Sequence, residues 1–334
     1  MFDYLIVGAG LTGATIAREL TDAGRRVLVI DRRPHIAGQC YTEVRDGQVM
    51  NLYGGHIFHT NDSRLWAWVN QFAKFETYIH RVKAVAGGRL YAFPPNGQTY
   101  YELGTDDEAA VRAAFFVGYT EKMWGRPYAE VPAAVTRRIP MRQTYDQNYF
   151  SDAYQGLPAG GYTPMFERLL AGIDVRLSVD YLADRWQLDQ LARRVIYTGP
   201  LDALFGNDAG RLEWRGLRFE HRHVSMAWYQ AAATVNYCDR DTPWLREEEW
   251  KRFWLSGDPG SWVTTTYPDA AEQYYPVPDD RNNALAAEYQ ARAEAAGYII
   301  AGRLGSYRYL DMHQAIAAAR QGAAKELAHV PIYA

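Results

Sequence analysis

Apolar and polar positions change their period along the chain, and each period predicts a different element. Near the amino end Tyr4-Leu5-Ile6-Val7 forms a short apolar run behind Asp3. Ala14, Ile16, Ala17 and Leu20 then recur at helical spacing between Thr12 and Ala23, and Arg26-Val27-Leu28-Val29-Ile30 is a β-branched run of the kind buried on both faces of a parallel sheet. Strand, glycine turn, helix and strand make one βαβ unit. Late in the chain Val195-Ile196-Tyr197-Thr198-Gly199 predicts another buried strand. Tyr298-Ile299-Ile300-Ala301-Gly302 precedes an alanine-rich helix from about Asp311 to Leu327, with an acidic residue at its start.

The segments between these pieces differ in pattern. Helical apolar spacing runs over 61–85 and 100–136, as in Trp66, Val69 and Phe72 and in Ala110, Ala113, Ala114 and Gly118. From about Leu212 to Tyr275 polar residues alternate with aromatic or β-branched ones, as in Thr234-Val235-Asn236-Tyr237 and Trp262-Val263-Thr264-Thr265-Thr266-Tyr267, which predicts antiparallel sheet. The expected fold class is α/β: a discontinuous Rossmann-like dinucleotide-binding domain from 1–65, 166–205 and 293–334, a small helical insertion from 66–76 and 98–150, and an antiparallel sheet domain from 77–97 and 206–292.

Composition narrows the function. The chain has 334 residues, 48% hydrophobic and 22% charged, which is ordinary for a folded protein with a core. Its 36 basic and 39 acidic residues leave a net charge of −3, no footprint for nucleic acid, so an anionic ligand must be held by a few local arginines. Every hydrophobic run is interrupted before the ~18 residues a membrane span needs, and Asp3 with no basic stretch before it is wrong for a secretory signal. Two cysteines, Cys40 and Cys238, make no disulfide framework or metal site, and a cytoplasmic protein is expected. No metal site is expected, since histidines and carboxylates show no ligand spacing.

Gly8-Ala9-Gly10-Leu11-Thr12-Gly13 follows a strand and opens a helix, the context of a dinucleotide fingerprint. Gly8 allows the tight turn, Gly10 lets backbone approach a pyrophosphate, and Gly13 lets helix pack on strand; the helix N-terminus favours the negative charge. Asp31 stands near the ~20-residue separation expected of a ribose-binding carboxylate. The continuation Arg32-Arg33-Pro34-His35-Ile36-Ala37-Gly38 resembles the extension of flavoproteins of the amine-oxidase and mutase type, which favours FAD.

Further strings resemble one family, the UDP-galactopyranose mutases. They are Tyr53-Gly54-Gly55-His56-Ile57-Phe58-His59-Thr60-Asn61-Asp62, Gly118-Tyr119-Thr120-Glu121-Lys122-Met123-Trp124-Gly125-Arg126, Arg137-Arg138-Ile139-Pro140, Asn148-Tyr149-Phe150-Ser151-Asp152, Tyr274-Tyr275-Pro276-Val277, and Gly302-Arg303-Leu304 with Tyr309-Leu310-Asp311-Met312-His313-Gln314. The resemblance implies an isomerase that contracts the sugar ring of a nucleoside-diphosphate sugar through a covalent adduct at N5 of reduced FAD. It implies catalytic roles for Arg138, Arg246, His56 and Arg303, with the two arginines Arg138 and Arg246 clamping the diphosphate. Tyr119 and Trp124 match residues bordering the nucleobase, and Tyr149, Tyr275 and Tyr309 match tyrosines on the diphosphate. Gly8, Gly10, Thr12, Gly13, Asp31, Arg32, Gly38, Gln39, Gly55, His56, Arg303, Asp311 and Met312 are the expected cofactor residues.

The chain also departs from that pattern. Ala37 and Gln39 replace a glycine and an asparagine beside the flavin, Thr266 stands where a substrate glutamate is usual, and the stretch between Pro94-Pro95 and Tyr119 is short. These departures leave three alternatives: a mutase acting on a GDP-hexose instead of a UDP-hexose, even without flavin; a flavin amine oxidase; and a non-catalytic nucleotide-sugar binding flavoprotein. A homodimer is allowed.

Overall fold

The computed structural model describes residues 1–270 and 272–329; the last five residues of the 293–334 segment lie outside them. A five-stranded sheet, all parallel, is built from Phe2–Val7, Val27–Asp31, Asp174–Leu177, Ala192–Tyr197 and Ile299–Ile300. The central strands Val27–Asp31 and Phe2–Val7 are apolar on both faces because helices cover both. The order places Phe2–Val7 in the middle, with Val27–Asp31 on one side and Ala192–Tyr197 on the other. Chain direction away from the centre reverses there, and the crevice beyond the carboxyl ends of those strands is where such sheets take ligands.

Helix Leu11–Asp22 starts directly after that crevice and packs on the closing helix Met312–His329, with Arg320 paired to Glu19 at 2.7 Å. Asp311 stands just before the closing helix, as the pattern predicts: its carbonyl accepts from the Ala315 N–H at 2.9 Å.

A second sheet has seven strands, in the order Tyr275–Pro276, Trp214–Val224, Ser261–Asp269, Arg246–Glu249, Thr234–Tyr237, Val82–Ala86 and Arg89–Phe93. It is antiparallel except where Thr234–Tyr237 runs parallel to Val82–Ala86. Thr234–Tyr237 and 262–267 form strands as their alternation predicts.

Three elements differ from the pattern. Helical spacing over 61–85 gives only Ser63–Val69, since Asn70 closes the helix by accepting from the Phe75 N–H, and Phe75–Thr77 then joins a three-stranded sheet with Tyr154–Pro158 and Phe58–Thr60. The 100–136 stretch is helical in pieces, broken at Gly104 and Gly125 in left-handed conformations and at Pro127 and Pro132. One of its pieces, Ala113–Val117, is a π-helical turn leading into Gly118–Trp124. Finally, a 16-residue helix, Asp280–Ala295, closes the segment read as sheet; its buried stripe of Asn282, Ala286, Tyr289 and Ala293 is too mixed in polarity to announce a helix.

Candidate active site

Two cavities meet between these units. The first, ≈ 290 Å³, lies at the crevice of the parallel sheet and is lined by Gly8, Gly10, Thr12, Gly13, Asp31, Arg32 and Gly38 among others. Its floor is backbone. A β-carbon on Gly8 would fall 2.1 Å from Thr198 Oγ1, and one on Gly13 would fall 1.9 Å from the Gly8 carbonyl, so neither position admits a side chain. Gly10 is the residue before the helix and offers no side-chain cap, which leaves the first helical N–H groups pointing into the cavity for an anion. Asp31 holds the turn: Oδ2 accepts from the Ala9 N–H at 2.7 Å and Oδ1 from the Arg33 N–H at 2.8 Å.

Ala37 takes a left-handed conformation, φ 73°, at a cost of about 1–2 kcal/mol for a residue with a β-carbon. Its methyl is fully buried in the core, and its N–H donates to the Ala9 carbonyl at 2.9 Å, so the turn keeps its shape without the glycine. Gln39 reaches out of the same turn and donates from Nε2 to the Gln273 carbonyl at 3.2 Å. Arg33, which the sequence passed over in favour of Arg32, also lines this cavity; it pairs with Glu272 and lies 4.8 Å from the Tyr53 ring centroid.

The second cavity, ≈ 580 Å³, lies between the seven-stranded sheet and the helical pieces. Gln39, His56, Arg303 and Met312 line both cavities and so mark the junction. The His56 ring is held by its Nδ1–H, which donates to the Gly54 carbonyl at 2.7 Å. Burial, joined by the charges of Arg303 and Arg246 and opposed by that carbonyl, pushes its pKa down to about 4, so the ring is neutral near pH 7. Arg303 is fixed by donating to the carbonyls of Tyr274 (3.1 Å) and Leu310 (2.7 Å).

Arg246 enters the cleft from the sheet, and its buried Nε has no hydrogen-bond partner among the described residues. Burial acts to lower its pKa, but Tyr119, Glu248, Tyr275 and Tyr149 around it raise it on balance, so the charge stays. Arg138 comes from the opposite rim and stacks on Tyr309, 4.7 Å from its ring centroid. Tyr309 and Tyr275 stack at 5.8 Å, and the Tyr309 hydroxyl donates to Asp311 Oδ1 at 2.8 Å. Tyr119 is a protonated donor, its pKa pushed up to about 12 by burial against the opposing charge of Arg246. Trp124 is buried in a small cluster with Val131 and Val277, and Tyr149 meets Phe150 edge-on at 4.9 Å.

Every expected site residue lines one cavity or both, with Gly55 and Asp311 in the second. Thr266 lies directly opposite Arg246 in the neighbouring strand, yet it is fully buried and does not line the cleft. Glu248, His80 and Asn236, which no motif announced, do. All three sit in strands or at a strand entrance, and only cross-strand register shows which way they face.

This arrangement puts an anion cradle beside a cleft lined by Arg138, Arg246, Arg303 and Arg308 and by several tyrosines. The family model for UDP-galactopyranose mutase matches residues 114–309, and one for an NAD(P)-binding Rossmann-like domain matches 6–72. A probable UDP-galactopyranose mutase of Klebsiella pneumoniae is 37% identical over 98% of this chain and 95% of its own. That alignment runs over 372 positions, more than the 334 residues here, so the relative carries segments this chain lacks. A dTDP-fucopyranose mutase of Escherichia coli is 33% identical over 93% of this chain and 95% of its own. The crystal structure of a reduced UDP-galactopyranose mutase superposes with a TM-score of 0.78 over 99% of this chain and 96% of that one, at 12% identity. The fold implies a flavin cofactor, and the glycine cradle fits one. The chain belongs to the UDP-galactopyranose mutase family.

Proposed function

We propose that this protein converts the pyranose form of a nucleoside-diphosphate sugar, UDP-galactose first, to its furanose form. The observation that carries the reading is the pair of arginines, Arg138 and Arg246, on opposite rims of a cleft that opens through Gln39, His56, Arg303 and Met312 into the glycine cradle. Net, the sugar's C1 gives up its bond to the ring oxygen O5 and takes one to O4, while a proton passes from O4 to O5; nothing is oxidised.

FAD is the cofactor we assign to the cradle. Gly8, Gly10, Gly13 and Gly38 would receive its diphosphate, Asp31 its ribose, and the junction at His56, Gly55 and Arg303 its ring. In its reduced form the flavin supplies a nucleophile for covalent catalysis at C1. The chain's own groups do the rest. Arg246 and Arg138 neutralise the diphosphate as its bond to C1 breaks, and a guanidinium fork suits two phosphate oxygens at once. Tyr149 and Tyr275 offer hydroxyls to the same oxygens, joined by Tyr309 when its hydroxyl turns from Asp311, while Tyr119 and Trp124 border the base. Neutral His56, locked by its bond to Gly54, holds the cofactor loop without adding charge.

Two buried free cysteines suit a reducing cytoplasmic setting. A second reading keeps the mutase and changes the nucleotide or the sugar; the Escherichia coli relative named for dTDP-fucopyranose favours it. The test is turnover of UDP-galactopyranose by dithionite-reduced protein, followed by chromatographic separation of the furanose, with the flavin spectrum recorded in parallel. Failure to convert any nucleoside-diphosphate hexose would end the reading, and full turnover by flavin-free protein would end the assignment of FAD.

A further inference from the structure

Glu247, Glu248 and Glu249 are consecutive in one strand and all three are buried. Strand alternation divides them. Glu247 and Glu249 point away from the cleft, and both are saturated. Glu247 accepts from Arg222 (2.7 Å), Tyr237 (2.8 Å), Thr265 (3.1 Å) and Tyr229 (3.2 Å). Glu249 accepts from Arg252 (2.6 Å), Ser261 (2.7 Å) and the N–H groups of Tyr229 (2.9 Å) and Gln230 (3.1 Å). These two hold the back of the sheet together.

Glu248 shares the face of Arg246, lines the cleft and is 2% exposed. One oxygen, Oε1, accepts from the Gly55 N–H at 2.9 Å, so the carboxyl is pinned against the loop that leads to His56. A β-carbon on Gly55 would fall 2.5 Å from that oxygen, which fixes the approach. The other oxygen, Oε2, is buried with no hydrogen-bond partner among the described residues. A buried carboxyl oxygen without a partner is costly, and the protein leaves this one in a cavity wall between the arginine of the diphosphate and the loop of the cofactor.

We infer that Glu248 reads the sugar: it is a specificity-determining residue whose Oε2 hydrogen-bonds a hydroxyl of the substrate's hexose. The inference rests on the mutase reading for the identity of the ligand. An ionised Glu248 repels a phosphate, since two acceptors would face each other, whereas a sugar hydroxyl pairs with the carboxyl in either protonation state. With Oε1 occupied by an N–H, a proton on the carboxyl sits on Oε2 and is donated to the sugar oxygen. Burial raises the pKa of Glu248 against the opposing effects of Arg246 and the Gly55 N–H, which favours that protonated form.

The test separates the sugar from the nucleotide by comparing the Kd of UDP with that of UDP-galactose, measured calorimetrically on the flavin-loaded protein. Glu248→Ala is expected to weaken UDP-galactose about tenfold while UDP changes less than about threefold. Glu248→Gln keeps an acceptor for Gly55 and a donor toward the sugar, and is expected to keep the wild-type ratio. Equal losses for UDP and UDP-galactose in Glu248→Ala, or no loss in either, would overturn the assignment; a sugar-specific loss as large in Glu248→Gln would overturn the donor role. The ratio needs no turnover, so an inactive wild-type protein counts against the mutase reading and leaves this measurement intact.

Discussion

Gly10 and Gly38 pack backbone against backbone in the wall of the cofactor cavity: a β-carbon on Gly38 would lie 3.0 Å from the Gly10 Cα, and one on Gly10 would lie 3.8 Å from the Gly38 Cα. Gly38 also holds a φ of 54°, so a side chain there meets both strain and backbone. Gly38→Ala is therefore expected to weaken flavin binding at least about tenfold, by fluorescence titration of the apoprotein, with circular dichroism unchanged. Ala37→Gly relieves a left-handed alanine and should bind flavin no more weakly than the wild type. Unimpaired binding by the Gly38 variant would show that the close contact of the two turns does not shape the diphosphate site.

The unpartnered Nε of Arg246 and the stacked guanidinium of Arg138 lead to a kinetic expectation. Alanine at either position should lower kcat/KM by about 100-fold or more, the scale for losing a group that stabilises developing charge. Lysine should rescue only part, because it lacks the planar fork. Kinetics close to wild type in both alanine variants would remove the arginines from the diphosphate.

His56 and His80 are buried neutral, with pKa values pushed down to about 4 and about 3, in both cases chiefly by burial. Unfolded, both titrate near 6.5. Between these limits the unfolded chain binds more protons than the folded one, so stability is full above about pH 6.5 and falls as the pH drops toward 3, by up to about 1.4 kcal/mol per pH unit for each histidine. Glu248 works in the opposite sense, its contribution being present in acid and lost as pH rises through its elevated pKa. The urea midpoint should therefore fall between pH 6.5 and 4, and His80→Phe, placed among Tyr149, Phe150 and Phe253, should flatten that slope. An unchanged slope would mean that His80 is not the group being protonated.

What the sequence reveals follows from the range of each interaction. The turn from Gly8 to Gly13 and its carboxylate Asp31 lie within one βαβ unit, so spacing alone predicts them. Arg138, Arg246 and the tyrosines come from distant segments and are visible only through resemblance. Glu248 is hidden altogether: it meets Gly55 across 193 residues, and a triplet of glutamates carries no sign of which one faces a cleft. Register supplies that sign, because Glu248 pairs with Thr234 on one side and Thr264 on the other, and so takes the face of Arg246 and Asn236 rather than that of Glu247. The same geometry explains Thr266. It shares that face but is flanked by Arg246 and Phe219 and closed off from the cleft, so its strand sends no carboxylate to the substrate.

The end of the cleft away from the flavin junction sets the last expectation. Phe115, Phe116, Tyr119, Met123, Trp124, Val135 and Ile139 line it, with Thr120, Thr136 and Asn283 as polar residues among them. Aromatic faces accept any base, whereas choosing uracil requires groups that pair with its edge. A wall so short of such groups discriminates weakly, since rejecting the wrong base depends on leaving buried polar groups unpaired. The chain also lacks segments present in the Klebsiella pneumoniae relative, which removes material that could have supplied them. UDP, dTDP and GDP are therefore expected to bind within about tenfold of one another, or GDP tighter, when titrated side by side and checked against turnover of the matching galactose nucleotides. A preference for UDP beyond about 100-fold would refute this, and would place the choice of base in Thr120, Thr136, Asn283 or the backbone rather than in the aromatic wall.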